Sequence, residues 1–340
     1  MKDTVAEETI AVPAEWAPQK AIWTAWPADP EQWNRDLEVP RRDVAALVRA
    51  LAPNNRVRLL VNGAETEESA RASLGSAAEI VPAKYGDVWL RDTSPIFAQS
   101  REGIVALRFK FNGWGGKFDL PGDYTVGDDI ARLARTPMRR FGFVLEGGAL
   151  EHDGEGTILA TREVLLHTNR NGWTEQDAEA ALRHALGAEK IIWLDGGLKN
   201  DHTDGHVDNV ARFVAPGHVV CQSLSGSDDP NGETFDAVAR VLERASDVRG
   251  RELRVTHIPS PGLVLDGAGA AAPASHMNFV IANGVVVAPV YGTPSAEAAI
   301  EALQALFPGR KVIGLPSRGL LGSGNVGGGS FHCITREEPA

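Results

Sequence analysis

Residues 327–335 read GGGSFHCIT and carry Cys333, one of only two cysteines, close to the C-terminus. Chain ends usually fray and tolerate change. A thiol held there needs a fixed partner, and the apolar alternation of FHCIT (331–335) reads as a strand. Its natural neighbour is AIWTAW (21–26), near the opposite end of the chain. Pairing the two makes the termini complete one unit: two strands, a helix from about Val39 to Leu51, and the strand RVRLLV (56–61).

The same order recurs through the chain. A pair of strands precedes each later helix and one strand follows it. VWLRDTSPIFA (88–98) and IVALRFKFN (104–112) precede a helix near Tyr124, and RFGFVLEGG (140–148) follows. TILA and VLLH precede a helix capped by Thr174, with Asp177 in its first turn and Gly187 past its end; KIIWLD follows. VDNVARFV and HVVCQSL precede a helix near Glu233, and ELRVTHI follows. NFVIA and GVVVAPVY precede one near Ser295, and KVIGLP follows. Five ββαβ units spaced about 50 to 60 residues apart signal repeat architecture. A second short helix, ETEESARASL, and the strand AEIVPA fall after the first unit. The expectation is a ring closed by its own termini, one domain over residues 1–340. An open mixed α/β sheet is the alternative.

Composition sets the outer limits. The 340 residues are 43% hydrophobic and 23% charged, as in ordinary globular proteins. Apolar runs such as GVVVAPV are far shorter than the roughly 20 residues a bilayer requires. The opening MKDTVAEETIAVP lacks the apolar stretch of a signal peptide. Two cysteines make no disulfide framework, so a reduced, cytoplasmic setting is expected. A net charge of −11 disfavours nucleic acid and anionic membranes and favours a small cation.

Four clusters carry chemistry. DVWLRDTSP contains Asp92, which either pairs with Arg91 at a strand end or has a function, because burying charge is costly. VLEGGAL puts Glu146 before two glycines that permit a sharp turn. DHTDGHVDNVARF gathers His202, Asp204, His206 and Asp208, and strand alternation sets His206 and Asp208 on one face. These serve acid–base work and cation binding, or His202, His206 and Asp208 hold a divalent metal, or all are solvated loop groups. Cys221, inside HVVCQSL, reads as a packed small hydrophobe. Cys333, behind the glycine-rich GSGNVGGGSF, reads as a nucleophile needing a base, with His206 the best partner. His332 is adjacent in sequence, but neighbouring strand residues point to opposite faces.

Several acids around a thiol disfavour the thiolate. A cationic substrate resolves the conflict. A monosubstituted guanidinium presents five N–H donors in a planar fork that matches carboxylates, and its charge offsets theirs. The residues therefore point to guanidine modification.

The sequence resembles the agmatine deiminases, in the guanidine-modifying superfamily with bacterial peptidylarginine deiminase. The resemblance runs nearly end to end: PAEWAPQKAIWTAWP, WLRDTSP, FNGWGGK, LEGGALEHDGEGT, DGHVDN, NFVIANGVVVAPVYG and GGGSFHCIT stand in the family's order. It implies a five-bladed α/β propeller of ββαβ units with pseudo-fivefold symmetry. It implies Cys333 as nucleophile, His206 as general acid/base, and Glu146 contacting both guanidinium and histidine. Asp92 and Asp208 match the carboxylates gripping the guanidinium, and Trp89 and Trp114 match aromatic positions by the substrate channel. A covalent thiouronium on Cys333 is implied, with N-carbamoylputrescine and ammonia as products of agmatine. No metal or organic cofactor is implied, and family members often form homo-oligomers.

The chain departs from the family pattern at Ser94, where glycine is usual, at Ser330, where asparagine is usual, and at His276, which replaces tyrosine. The loop before Cys333 is longer than usual, which bears on substrate preference. The rival substrates are free, methylated or peptidyl arginine, for which Arg91 or Arg170 would have to meet a carboxylate. A metal-dependent hydrolase and a non-catalytic cation binder are the other classes.

Overall fold

The protein is described by a computed structural model covering residues 10–322 and 328–340. Most of the opening MKDTVAEETIAVP and the centre of GSGNVGGGSF lie outside those residues, so the readings placed on them stay expectations.

The first unit runs β1 (Gln19–Ala25), α1 (Glu38–Leu51), β2 (Val57–Val61), α2 (Ala64–Leu74) and β3 (Glu79–Pro82). The second is β4 (Ile96–Ser100), β5 (Gly103–Lys110), α3 (Val126–Ala134) and β6 (Met138–Val144). The third is β7 (Leu150–His152), β8 (Thr157–Thr161), α4 (Glu175–Leu186) and β9 (Lys190–Leu194). The fourth is β10 (Ala211–Ala215), β11 (His218–Ser223), α5 (Gly232–Leu242) and β12 (Arg254–Pro259). The fifth is β13 (Val280–Ala282), β14 (Val285–Val290), α6 (Ala296–Leu306) and β15 (Lys311–Pro316). Finally β16 (Arg336–Pro339) returns to the first unit.

Among the described residues these strands form five separate sheets: β16-β1-β2-β3, β4-β5-β6, β7-β8-β9, β10-β11-β12 and β13-β14-β15. Each combines one antiparallel pair with a parallel pair bridged by a helix, as in β4–β5 and β5–β6, and the first adds a second parallel pair, β2–β3. The fold is therefore α/β with mixed sheets. The short antiparallel links are hairpins; the parallel links need a crossover helix. In the first sheet the antiparallel pair comes from opposite chain ends, with Ile22 opposite Glu337 and Trp23 opposite Arg336. Trp23 Nε1 donates to Glu338 at 2.9 Å and Ala340 N to the Pro18 carbonyl at 3.0 Å.

Helical periodicity fixes how each crossover packs. In α1, Val44, Leu47, Val48 and Leu51 follow the i, i+3, i+4, i+7 spacing of one apolar face, and all are fully buried. Strand β2, VRLLV, is buried at every position, as expected of a strand covered on both faces. The predicted capping of α4 is present: Thr174 Oγ1 accepts from Asp177 N at 3.2 Å, Asp177 reciprocates, and Gly187 closes the helix at φ 70°.

Three local expectations need correcting. Residues 90–93 of VWLRDTSP form a helical turn, so β4 begins only at Ile96. VLLH is not a strand: Arg162–Leu165 is a helical turn, and the partner of β8 is the earlier segment β7. FHCIT is itself a series of turns, and the closing strand is the REEP that follows. In each case apolar residues that read as a strand are buried by a tight turn instead, and apolar content does not distinguish the two. Among the described residues no helix is long and apolar enough to cross a membrane.

Candidate active site

Two of these turns, at residues 90–93 and in FHCIT, belong to a set of segments where the polar residues gather. Each lies just ahead of the first strand of a unit: Asp92 before β4, Glu146 before β7, His206 and Asp208 before β10, Asn278 before β13, Cys333 before β16. Five equivalent positions supply the groups of one cluster. Asp92, Glu146, His206, Asp208, Asn278 and Cys333 are all 5% exposed or less.

Glycine makes the convergence physical. A Cβ on Gly148 would lie 2.6 Å from His206 Nδ1, 3.0 Å from Asp92 Oδ1 and 3.1 Å from Asp208 Oδ2. The three side chains therefore meet over a bare Cα. Neither glycine after Glu146 has a positive φ. The expected sharp turn is thus not their purpose; they leave room for neighbours. Gly148 also donates its N–H to Asp92 Oδ1 at 2.8 Å. A Cβ on Gly329 would in turn lie 3.0 Å from Cys333 Sγ and 2.9 Å from the Trp89 ring.

Asp92 does not pair with Arg91. Its Oδ2 accepts from Trp114 Nε1 at 2.9 Å, whereas Arg91 turns away to Glu337 at 2.9 Å. Glu146 Oε1 accepts from Arg170 Nε at 2.8 Å, and Arg170 reaches on to Asp204 at 2.6 Å. Asp208 Oδ2 is 2.8 Å from His332 Nδ1 and 3.8 Å from Cys333 Sγ. His206 heads a 3-10 turn, Val207–Asn209, so strand alternation does not orient it toward Asp208 as expected. Its Nδ1 lies 3.8 Å from Asp92 and its Nε2 3.8 Å from Glu146.

Charge follows from this packing. Burial works against protonation of His206, but Asp92, Glu146 and Asp208 overcome it and raise its pKa to about 9. Burial pushes the Cys333 thiol well above its ordinary range, and Asp208 and Asp92 push the same way. Without a ligand the site therefore pairs a neutral thiol with an imidazolium at neutral pH. Both His206 ring nitrogens, Glu146 Oε2 and Asp208 Oδ1 are buried without a hydrogen-bond partner among the described residues. Buried polar atoms in folded proteins are nearly always satisfied, so the two orphaned carboxylate oxygens beside the imidazolium mark a place built to receive donors.

Sequence reasoning missed three contributors. Asn278 Nδ2 donates to Cys333 Sγ at 3.1 Å, and its Oδ1 accepts from the backbone N–H groups of His332 and Cys333 at 3.0 and 3.2 Å. An asparagine opening an apolar strand gives no signal of this. Strand alternation would face His332 away from the site, but the turn lets it reach Asp208. Gly148 matters for the space it leaves rather than for its backbone conformation.

Trp89 and Trp114 line the cleft over Cys333, together with Asp87, Phe118 and His202. Trp89 stacks on Trp33 at 5.8 Å and Trp114 meets Phe111 edge-on at 4.8 Å. No lysine or arginine lines this cleft among the described residues. Arg91 and Arg170, the candidates for a substrate carboxylate, are buried in internal ion pairs. His202, His206 and Asp208 do not form a three-ligand set; among the described residues only Asp153, Glu155 and Asp247 bring ligand atoms within 4.8 Å of one another. Arg251 pairs with both Glu155 and Asp247. Cys221 packs as expected, fully buried, with burial raising its thiol to about 12.

The departures from the family pattern are absorbed locally. Ser94 Oγ receives Arg336 Nε at 3.0 Å, Ser330 Oγ meets Ser317 Oγ at 2.6 Å, and His276 Nδ1 lies 2.8 Å from the Pro259 carbonyl.

The chain is similar to known proteins over its full length. An agmatine deiminase from Stutzerimonas stutzeri is 37% identical, over all of this chain and 98% of its own. One from Ectopseudomonas mendocina is 38% identical, over 97% and 95%. The solved agmatine deiminase of Enterococcus faecalis superposes with a TM-score of 0.93 at 29% identity, over 100% and 99% of the two chains. The family model for Porphyromonas-type peptidyl-arginine deiminase matches residues 11–339. On a match of that extent, the chain belongs to the Porphyromonas-type peptidyl-arginine deiminase family.

Proposed function

We propose that the protein hydrolyses the guanidinium group of agmatine to N-carbamoylputrescine and ammonia through a covalent intermediate on Cys333. The observation that carries this reading is the set of orphaned acceptors, Glu146 Oε2 and Asp208 Oδ1 beside His206, gathered around a thiol. A planar cation with N–H donors in a fork is the ligand that fits them.

Asp92 and Asp208 grip the guanidinium nitrogens, and Trp89 and Trp114 flank the rest of the substrate. The arriving positive charge offsets the acids that hold the thiol protonated, and the thiol proton is released. The Cys333 thiolate forms a bond to the guanidinium carbon. His206, protonated at neutral pH and held by Glu146, gives its proton to one nitrogen, and the C–N bond breaks to release ammonia. A thiouronium remains on sulfur. Neutral His206 then takes a proton from water and the oxygen adds to the same carbon; the C–S bond breaks as the new hydroxyl gives its proton to the departing sulfur, leaving the ureido product and the Cys333 thiol. No step calls on a metal.

Agmatine is favoured over arginine and arginyl peptides because the cleft offers no cation to a carboxylate. The full-length similarity to agmatine deiminases supports the same choice. The repeated strand order, with one site segment per unit, supports a five-bladed propeller whose units face a common axis, forming one domain over residues 1–340. The net charge of −11 and the two free cysteines favour a cytoplasmic enzyme acting on a small cation, and the resemblance to agmatine deiminases favours a homo-oligomer.

The test is ammonia release from agmatine, arginine and an arginyl peptide, with Cys333→Ser as control. Release from agmatine alone, abolished in the variant, is expected. Chelator-sensitive activity that survives alkylation of Cys333 would point to metal chemistry instead.

A further inference from the structure

The groups around Cys333 account for the reacting end of the cleft and leave one acid of its wall unexplained. Asp87 lines the same cleft and is only 3% exposed. Its Oδ1 accepts from Trp33 Nε1 at 3.1 Å. Behind it stands Asp123, fully buried, whose Oδ1 accepts the N–H groups of Gly86 and Asp87 at 2.9 and 3.1 Å. Asp123 Oδ2 has no partner among the described residues. Burial and the neighbouring Asp123 raise Asp87 to about 8, and burial raises Asp123 to about 7.

Two adjacent buried acids with no ion-pair partner among the described residues are costly, because like charges and desolvation both oppose ionisation. A bystander acid in a cleft wall lined by Trp89, Trp114 and Phe118 would pack better as an amide or an apolar residue. A positive charge arriving with the substrate reverses that penalty. The reacting guanidinium is already matched by Asp92, Asp208 and Glu146, so the charge opposite Asp87 has to sit elsewhere on the ligand.

We infer that Asp87 is the anchor for a second, distal ammonium of the substrate, making the cleft selective for a guanidine whose far end is also a cation. This rests on the reading of the site as a guanidine hydrolase. It assigns substrate choice to a particular wall residue, where the lack of a basic residue only argues against a carboxylate. Asp123 supports Asp87 through the backbone N–H it holds and acts as a positioning residue.

The experiment compares agmatine with n-butylguanidine, which has the same chain length and no distal charge, on the native enzyme and on Asp87→Asn. The amide keeps an oxygen for Trp33 and removes the charge. The ratio of kcat/KM for agmatine over butylguanidine is expected to fall on the order of 30-fold, through KM for agmatine, since removing one partner of a buried charge pair costs about 2 kcal/mol or more. Equal losses on both substrates would mean that Asp87 only braces Trp33, and an unchanged ratio would mean that it does nothing; either overturns the inference. Calorimetric binding of both compounds to Cys333→Ser, with and without Asp87→Asn, gives the same comparison without turnover. If the enzyme turns over neither guanidine, the hydrolase reading falls, and the binding ratio still decides whether Asp87 senses the distal charge. If neither compound binds, both readings fall.

Discussion

At the scale of single residues, the thiol and imidazole carry opposite protonation preferences that a ligand must reset. Burial and two acids keep Cys333 protonated, so its alkylation by iodoacetamide in the free enzyme should still be rising above pH 9. A non-reacting guanidinium held in the cleft should shift that curve to lower pH if it leaves the sulfur open. A curve centred near the ordinary thiol value without ligand would contradict the geometry. Gly148 offers the sharpest steric test. Gly148→Ala puts a methyl group among His206, Asp92 and Asp208. Displacing reacting groups by about 1 Å costs about 100-fold, so kcat/KM should drop by at least that while the melting temperature moves little. Most of these groups were legible in the sequence, because a histidine, a cysteine and three acids next to apolar strands have few structural uses. Asn278, His332 and the spatial role of Gly148 were not, since an amide, a second histidine and a missing side chain acquire meaning only through what they touch.

At the scale of elements, helices and strand order followed from periodicity and caps, and the errors fell on segments of a few residues. The turns at Leu90–Thr93 and His206–Asn209 look like strand starts because each is buried throughout and runs on within a few residues into the apolar strand that follows, Ile96–Ser100 and Ala211–Ala215. Long periodic elements average over many residues, and a single turn does not. Element energetics separate stability from activity. Thr174→Ala removes the capping hydroxyl of α4, far from the cluster, and should cost about 1 kcal/mol in chemical denaturation with kcat unchanged. Glu338→Ala acts on the pairing of β16 with β1, stripping Trp23 of its acceptor and Lys20 of its partner at 2.5 Å. It should lower both the denaturation midpoint and kcat, because Cys333 stands immediately ahead of β16. Full activity in that variant would show that the thiol is positioned without the seam.

At the scale of the whole molecule, buried titrating groups give stability a direction with pH. Asp87, Asp123 and Glu151 are raised to about 8, 7 and 7, so the fold keeps protons that the unfolded chain has already released. Each therefore destabilises as pH climbs toward those values. His206 contributes stability that is complete below its ordinary value of 6.5 and lost as pH rises through about 9. All four act in one direction above pH 6.5. Thermal scans should show a melting temperature falling steadily from pH 6.5 to 9.5, with part of the loss recovered by agmatine bound to Cys333→Ser; a flat or rising profile would refute the assignment.

The seam between β1 and β16 differs in kind from its four counterparts. Elsewhere the antiparallel partners are joined by the chain itself, as Ser100 to Gly103 or Ala282 to Val285. Here no loop joins the two segments: hydrogen bonds, the Lys20–Glu338 contact and the packing of Ile22 and Trp23 in one core with Phe331 and Ile334 keep them in step. Among the five antiparallel strand pairs of the described sheets it is the one that opens without unravelling a hairpin, and the nucleophile rides on one of its arms. Mild denaturant should therefore unmask Cys333 before the remaining sheets let go, so that the enzyme goes silent while most of it is still folded.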